Sequence, residues 1–208
     1  MKVKICGLSR REDIEAANLI KPDYIGFVFA KSRRQVTKEQ ARALKQGLCP
    51  DIVAVGVFVD APLEEILDLL EEGIIDMAQL HGNESEEFLR RLQRESQKPV
   101  IRAVQLGQQE EKQLQESIQR ACASAADYLL FDSGKGNGVP FDWDCLKAVQ
   151  RPYFLAGGLG VENIEEAASR LNPYAIDISS KAETEGLKDA KKMEDLTRLV
   201  HLIEEKEA

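Results

Sequence analysis

Short apolar runs alternate with longer amphipathic segments along the whole chain. The runs are almost continuously apolar, which is typical of parallel strands that helices cover on both faces. We predict eight strands, over residues 2–6, 23–29, 52–59, 76–80, 99–104, 128–131, 152–155 and 174–178. A segment with helical periodicity follows each of them, so the pattern indicates eight strand–helix units.

The helix starts are marked by residues that cap the free N–H groups of a first turn. Ser9 with Glu12, and Thr37 with Gln40, have the spacing of capping boxes, and Asn83 is the predicted cap of the fourth helix. The predicted helices cover residues 9–20, 62–73, 109–124, 162–171 and 189–205, and three more begin at residues 37, 83 and 141.

The strand–helix alternation runs without a linker, a low-complexity tract or a break in composition. Regular alternation with right-handed crossovers closes on itself at eight units. We therefore predict an α/β fold, a single (β/α)8 TIM barrel of eight parallel strands that forms one domain over residues 1–208. A doubly wound open sheet is the alternative, because the switch in strand order that defines it leaves no signal in a sequence.

The charge balance limits the classes of partner. The chain has 28 Lys and Arg against 36 Asp and Glu, a net charge of −8, which argues against nucleic-acid and membrane partners. A local pocket of backbone N–H groups can still bind an anionic substrate. With no leader and no apolar run long enough to span a bilayer, we expect a soluble, cytoplasmic protein.

The four cysteines are Cys6, Cys49, Cys122 and Cys145. None is spaced as Cys-x-x-Cys, so neither a disulfide framework nor a zinc site is indicated. This use of cysteine is typical of a reduced compartment.

Chemically useful residues occur where the predicted strands end, which in a barrel is the face that carries the active site. They are Cys6, Arg34, Asp60, His81, Asp132, Gly157, Gly158, Ser179 and Ser180. Most helices and strand interiors offer nothing comparable.

The loops after the seventh and eighth strands carry Gly157-Gly158 and Ser179-Ser180. Barrels commonly bind phosphate there, because glycine lets the backbone approach the ligand and helix N-termini supply N–H donors. One glycine pair alone indicates a tight turn, but the two signals at neighbouring strand ends favour a phosphate site. The glycine-rich residues 133–140 lack the spacing of a dinucleotide fingerprint. An alternative role for this loop is to close over the same phosphorylated ligand.

Cys6 and Asp132 are candidates for proton transfer. A thiol with a pKa near ~8.5 and a carboxyl with a pKa near ~4 can serve as base and acid once their surroundings adjust them. From the residues alone, Cys6 can equally be a buried apolar side chain and Asp132 a turn residue.

Arg33 and Arg34 follow the second strand, where an arginine can bind a carboxylate in bidentate fashion or belong to a solvated basic loop. His81 is either a core histidine or a ligand contact. His201 lies on the predicted last helix, so no histidine-based metal site is indicated.

Seven short motifs follow one another in order along the chain. They are Lys4-Ile5-Cys6-Gly7, Gly26-Phe27-Val28-Phe29, Lys31-Ser32-Arg33-Arg34, Gln79-Leu80-His81-Gly82, Phe141-Asp142-Trp143, Ala156-Gly157-Gly158-Leu159 with Glu162-Asn163, and Asp177-Ile178-Ser179-Ser180. Together they resemble the phosphoribosylanthranilate isomerases of tryptophan biosynthesis. Each motif is weak alone, but their order over the whole chain is specific.

The resemblance implies the barrel fold and an Amadori rearrangement of N-(5'-phosphoribosyl)anthranilate, a small phosphorylated aminoaldose, to an aminoketose without metal or organic cofactor. It implies that Asp132 is the general acid that opens the furanose ring and that Cys6 is the general base that removes the C2′ proton. The implied substrate contacts are Arg34 to the anthranilate, Gly157, Gly158, Ser179 and Ser180 to the phosphate, and His81 and Asp177 in support. We expect a monomer or a homodimer.

Three loops depart from the family pattern. Lys181-Ala182 stands before Glu183 where the family usually has Gly-Val, Lys135-Gly136 replaces adjacent glycines, and the loop after the second strand is shorter. We expect the Lys181 ammonium to attract phosphate as a point charge in place of the missing glycine.

Three rival functions differ from this one in identifiable residues. The related isomerase of histidine biosynthesis has an aspartate where this chain has Cys6. A ribulose-phosphate epimerase needs metal-binding histidines at strand ends, where only His81 occurs. A non-catalytic sugar-phosphate sensor would not need Cys6 and Asp132, and measured turnover separates it from an enzyme.

Overall fold

Eight parallel strands form a closed barrel in a computed structural model that describes residues 1–107, 109–134 and 143–207. Neighbours in sequence pair with each other, and β1 pairs with β8. The strands are β1 (Lys2–Cys6), β2 (Tyr24–Val28), β3 (Val53–Phe58), β4 (Met77–Leu80), β5 (Val100–Gln105), β6 (Tyr128–Asp132), β7 (Tyr153–Ala156) and β8 (Ala175–Ile178). The predicted (β/α)8 barrel is confirmed, and the doubly wound alternative is wrong.

Helices surround the barrel. They are α1 (Arg11–Ile20), α2 (Lys38–Gln46), α3 (Leu63–Glu71), α4 (Glu86–Ser96), α5 (Glu111–Ala123), α6 (Ile164–Leu171) and α7 (Ala190–Glu207). Between β6 and β7 the described residues contain only a short 3-10 helix, Trp143–Leu146. Lys135-Gly136 and Phe141-Asp142, named above, lie outside the described residues.

Two predicted caps are wrong and one is confirmed. Helix α1 is capped by Arg10 and not by Ser9. The Asp13 carboxylate accepts from the N–H groups of Ser9 and Arg10 at 2.9 and 3.0 Å, which is the role predicted for Glu12. In α2, Thr37 and Gln40 form the predicted box.

Helix α4 is capped by Ser85, whose Oγ accepts from the N–H of Phe88, and not by Asn83. The Asn83 N–H instead donates to the Asp60 carboxylate at 2.6 Å. Since Asp60 holds this loop, it is a structural residue of the rim.

The core has an outer and an inner layer. The larger apolar cluster packs the helices against the strands, and a smaller one fills the barrel. In the inner layer the Phe154 ring lies 5.3 Å from Tyr24, 5.8 Å from Tyr128 and 5.7 Å from Tyr174. Each of these four residues lies within one residue of the beginning of its strand. Their rings therefore close the N-terminal end of the barrel. The opposite end is where the predicted reactive residues lie.

A short hairpin follows β8. A 3-10 turn (Ser180–Ala182) leads into β9 (Glu183–Thr184) and β10 (Leu187–Lys188), which pair antiparallel. Glu185 and Gly186 at its tip have φ of +51° and +84°. Two-residue strands carry too little periodicity to be predicted from sequence.

No helix within the described ranges is long and apolar enough to cross a membrane.

Candidate active site

Cys6 is the last residue of β1 and is 8% exposed. Its Sγ packs against Gly26 on β2, where an added Cβ would lie 2.6 Å from the sulfur. Gly7 follows with φ of +90°, and a Cβ there would lie 2.4 Å from Arg34 Cδ. Two glycines therefore make room for the thiol and for the arginine of the next loop.

Burial raises the pKa of the Cys6 thiol, and the net direction is upward although two lysines oppose it. Lys4 and Lys188 lower this pKa by their positive charge, and Asp177 raises it. A raised pKa favours the thiol form of Cys6 over the thiolate near neutral pH.

A buried ion pair lies beneath Cys6. The Lys4 Nζ is 3.0 Å from both carboxylate oxygens of Asp177, and Lys4 is completely buried. Asp177 was predicted as a supporting substrate contact, and the structure directs its carboxylate to Lys4. Sequence reasoning missed Lys4, although a lysine two residues before Cys6 in an apolar strand faces the same side.

Arg34 is held by a carboxylate that follows β8. Its Nε and one terminal nitrogen donate to Glu183 at 2.5 and 3.0 Å. Arg33 and Lys188 donate to the same carboxylate at 2.6 and 2.7 Å. Burial raises the pKa of Glu183, but the bonds from Arg34 and Lys188 outweigh it and the net direction is downward. A guanidinium has five N–H donors, so binding Glu183 fixes Arg34 without using all of them.

Asp132 ends β6 at the same rim, with a side chain that is 25% exposed. Its Oδ1 accepts from the N–H of Gly134 at 2.9 Å, and its Oδ2 lies 3.9 Å from His81 Nε2. This His81 nitrogen is buried, and none of the described residues forms a hydrogen bond with it. The arrangement anchors one oxygen of Asp132 and directs the other toward His81.

The two glycines after β7 have different surroundings. Gly157 has φ of +99°, and a Cβ there would lie 2.1 Å from Ser133 Oγ, which donates to the Gly157 carbonyl at 3.0 Å. Gly158 has φ of +65°, and apart from its chain neighbours no described residue comes within 4 Å of the place where its Cβ would be. Gly157 is thus required by packing beside Asp132, and Gly158 leaves the backbone open to a ligand.

The loop after β8 reaches back to β1. Ser179 Oγ donates to the Cys6 carbonyl at 3.2 Å, and Lys188 Nζ donates to the Ser179 carbonyl at 2.9 Å. Ser180 begins the 3-10 turn. The Lys181 ammonium pairs with the Glu162 carboxylate and lowers the pKa of Glu162, so Lys181 joins the loops after β7 and β8.

The two histidines lie far apart in the fold. His81 is at the rim, whereas His201 is on α7 with its Nε2 3.8 Å from Asp23. Within the part of the chain that is described, no group of three His, Cys, Asp or Glu residues could hold a metal ion.

Comparison with known proteins gives one consistent result. A family model described as N-(5'phosphoribosyl)anthranilate (PRA) isomerase matches residues 3–198. The N-(5'-phosphoribosyl)anthranilate isomerase of Endomicrobium trichonymphae is 42% identical over 207 residues, which cover 97% of this chain and 99% of that protein.

Solved structures agree with this similarity. A phosphoribosyl anthranilate isomerase in complex with reduced 1-(o-carboxyphenylamino)-1-deoxyribulose 5-phosphate superposes with a TM-score of 0.81 at 32% identity, covering 95% of this chain and 97% of that one. Monomers generated from the dimeric isomerase of Thermotoga maritima give a TM-score of 0.81 at 30% identity, with the same coverage of 95% and 97%.

Proposed function

This chain belongs to the N-(5'-phosphoribosyl)anthranilate isomerase family, and on that basis we propose that Cys6 and Asp132 transfer the protons in its reaction. The enzyme is an isomerase of tryptophan biosynthesis. It converts N-(5-phosphoribosyl)anthranilate to 1-(2-carboxyphenylamino)-1-deoxyribulose 5-phosphate by an Amadori rearrangement.

The proposed acid acts first. Asp132, entering protonated, gives its proton to the furanose ring oxygen, so the ring opens to a Schiff base. Asp132 Oδ2 is the oxygen available for this step, since Oδ1 accepts from Gly134. His81, 3.9 Å from Oδ2, is proposed to contact the substrate beside it.

The proposed base acts second. The Cys6 thiolate removes the C2′ proton of the Schiff base, which gives an enolamine that tautomerises to the ketone. Only the thiolate form of Cys6 can take this proton, so the rate of the step depends on the fraction of Cys6 that is ionised.

One observation supports these assignments: of the two loops proposed to bind phosphate, one contacts Cys6 and the other contacts the segment of Asp132. Ser179 donates to the Cys6 carbonyl, and Gly157 packs against the segment of Asp132 and Ser133. A substrate bound by its phosphate at these loops would lie between the two strand ends. We accordingly propose Gly157, Gly158, Ser179 and Ser180 as the phosphate site.

Arg34 is proposed to bind the anthranilate carboxylate through donors that do not face Glu183. Asp177 is proposed to act through the protein, since its carboxylate binds Lys4. A phosphorylated small molecule is the proposed partner, as in the relative solved with a reduced phosphate-bearing ligand.

A cytoplasmic location, a monomeric or homodimeric state and a reaction without cofactor remain predictions. A Thermotoga maritima relative is described both as a dimer and as monomers derived from it.

Fluorescence tests the function directly. When the labile substrate is generated in situ with the purified protein, we expect its anthranilate-type fluorescence to disappear at a rate proportional to enzyme concentration. Folded protein that leaves the signal unchanged would contradict the isomerase function and favour the sugar-phosphate sensor.

Lys181 provides a test of the phosphate site. We expect Lys181→Ala to weaken competitive inhibition by inorganic phosphate roughly three- to fivefold. The substitution leaves the Glu162 carboxylate without its partner beside the bound anion. The effect should be no larger, because an exposed charge contributes at most about 1 kcal/mol to such an interaction. The matched control is Lys45→Ala, because Lys45 pairs with Asp76 at the opposite end of the barrel. An inhibition constant that matches wild type would show that Lys181 serves only Glu162 and solvent.

A further inference from the structure

The ion pair beneath Cys6 occupies a position where an apolar pair would pack. Lys4 is completely buried and Asp177 is 8% exposed. Taking two charges out of water is costly even when they pair, and well-packed apolar residues are often at least as stable. The layer next to the pair is in fact apolar and aromatic. Stability alone therefore does not account for these two residues.

The strand geometry aligns the pair with the thiol. Lys4 and Cys6 are two residues apart on β1, so their side chains point to the same face. Lys4 is in register with Asp177 on β8. Burial lowers the pKa of Lys4, but the negative charges of Asp177 and Cys6 raise it and the net direction is upward. The ammonium therefore stays charged through the pH range in which the enzyme works.

Other charged groups also face Cys6. Lys188 approaches from β10 and Arg34 from the loop after β2, and both interact with the thiol electrostatically. These two cations share the Glu183 carboxylate at 2.7 and 2.5 Å, so its single negative charge offsets part of their positive charge. Among the charged groups, Lys4 lowers the pKa of Cys6 the most, and Asp177 is the one that raises it.

We propose that Lys4 and Asp177 are positioning residues for this reaction, and that their ion pair holds Cys6 in place and supplies the charge against which its thiolate forms. The inference rests on the proposed role of Cys6 as the base. In the proton transfer the C2′–H bond breaks and the S–H bond forms. The C2′–H electron pair becomes the C1′=C2′ double bond of the enolamine, and the C1′=N pair of the protonated Schiff base moves onto the nitrogen. The thiolate charge then disappears, and Asp177 keeps the buried ammonium paired on both sides of the step.

Opposite effects of two substitutions test this proposal. Lys4→Met removes the favourable charge and should move the ionisation of Cys6 to higher pH by roughly one pH unit. Asp177→Asn removes the opposing charge and should move it to lower pH by a similar amount. The measurement is the ultraviolet absorbance of the thiolate against pH in the free protein. Subtracting the same variant with Cys6→Ser removes the contribution of the other cysteines.

Two further variants keep the test decisive. The double variant Lys4→Met with Asp177→Leu removes both charges together, and its midpoint should lie between those of the single variants; it also replaces Lys4→Met if that protein does not fold. The matched control is Lys2→Met on the same strand, since Lys2 is half exposed and pairs with Asp23. This control should titrate like wild type.

The proposal is overturned if folded Lys4→Met and Asp177→Asn titrate like wild type, or if both shift in the same direction, as a purely structural role would predict. Because no substrate is present, the titration separates two failures. A wild-type protein without turnover contradicts the proposed function, whereas unchanged thiol titrations contradict this inference alone.

Discussion

Replacing Cys6 by serine is expected to lower kcat by roughly 10²–10⁴-fold, the usual contribution of one general base. The hydroxyl has nearly the same shape as the thiol and fits the space beside Gly26, so the barrel should remain folded. It does not ionise in the pH range of the reaction, so no base is available for the C2′ proton. The rate of fluorescence loss at saturating substrate, with a thermal melt of the same sample, measures both effects.

The pH profile identifies the group that this substitution removes. The proposed base, Cys6, would act as a thiolate, and burial raises the pKa of this thiol, so kcat/KM of the wild type should increase with pH toward that pKa. This ascending limb should be absent from the residual activity of Cys6→Ser. Cys122→Ser, a change of the same kind on α5, should keep both the rate and the profile. Near-normal turnover by Cys6→Ser would show that another group is the base.

Much of the scaffold can be predicted from local pattern. The predicted bounds of β1 match the structure, and every other predicted strand overlaps an observed one, because barrel strands are covered on both faces and are therefore mostly apolar. The same regularity places Cys6 and Asp132 at one rim before any distance is known. The end of a strand fixes the rim of the barrel at which the next residues lie.

Contacts between distant segments cannot be predicted in this way. Lys4 and Asp177 are separated by 173 residues, and only the closure of β1 on β8 brings them together. Glu183 and Lys188 lie in a hairpin too short for any periodic signal. Both caps that were wrong lie within two residues of the true ones, since several polar residues compete at those helix starts and packing decides among them.

Asp132→Asn is expected to reduce kcat by roughly 10²–10⁴-fold, because an amide cannot deliver the proton that opens the furanose ring. The substitution keeps an oxygen that can accept from Gly134, so the loop after β6 should retain its anchor and the protein its thermal stability. The turnover rate and the melting temperature are measured together.

Asp60→Asn is the matched control, since Asp60 is a rim aspartate that binds the backbone of Asn83. It should leave kcat near wild type. His81 provides the competing explanation, because its Nε2 lies 3.9 Å from Asp132 and has no hydrogen-bond partner within the described part of the chain. If Asp132→Asn turns over normally and His81→Asn does not, the acid is His81 and the assignment to Asp132 is wrong. If both variants lose activity but only Asp132→Asn loses it by orders of magnitude, Asp132 delivers the proton and His81 positions either the acid or the sugar.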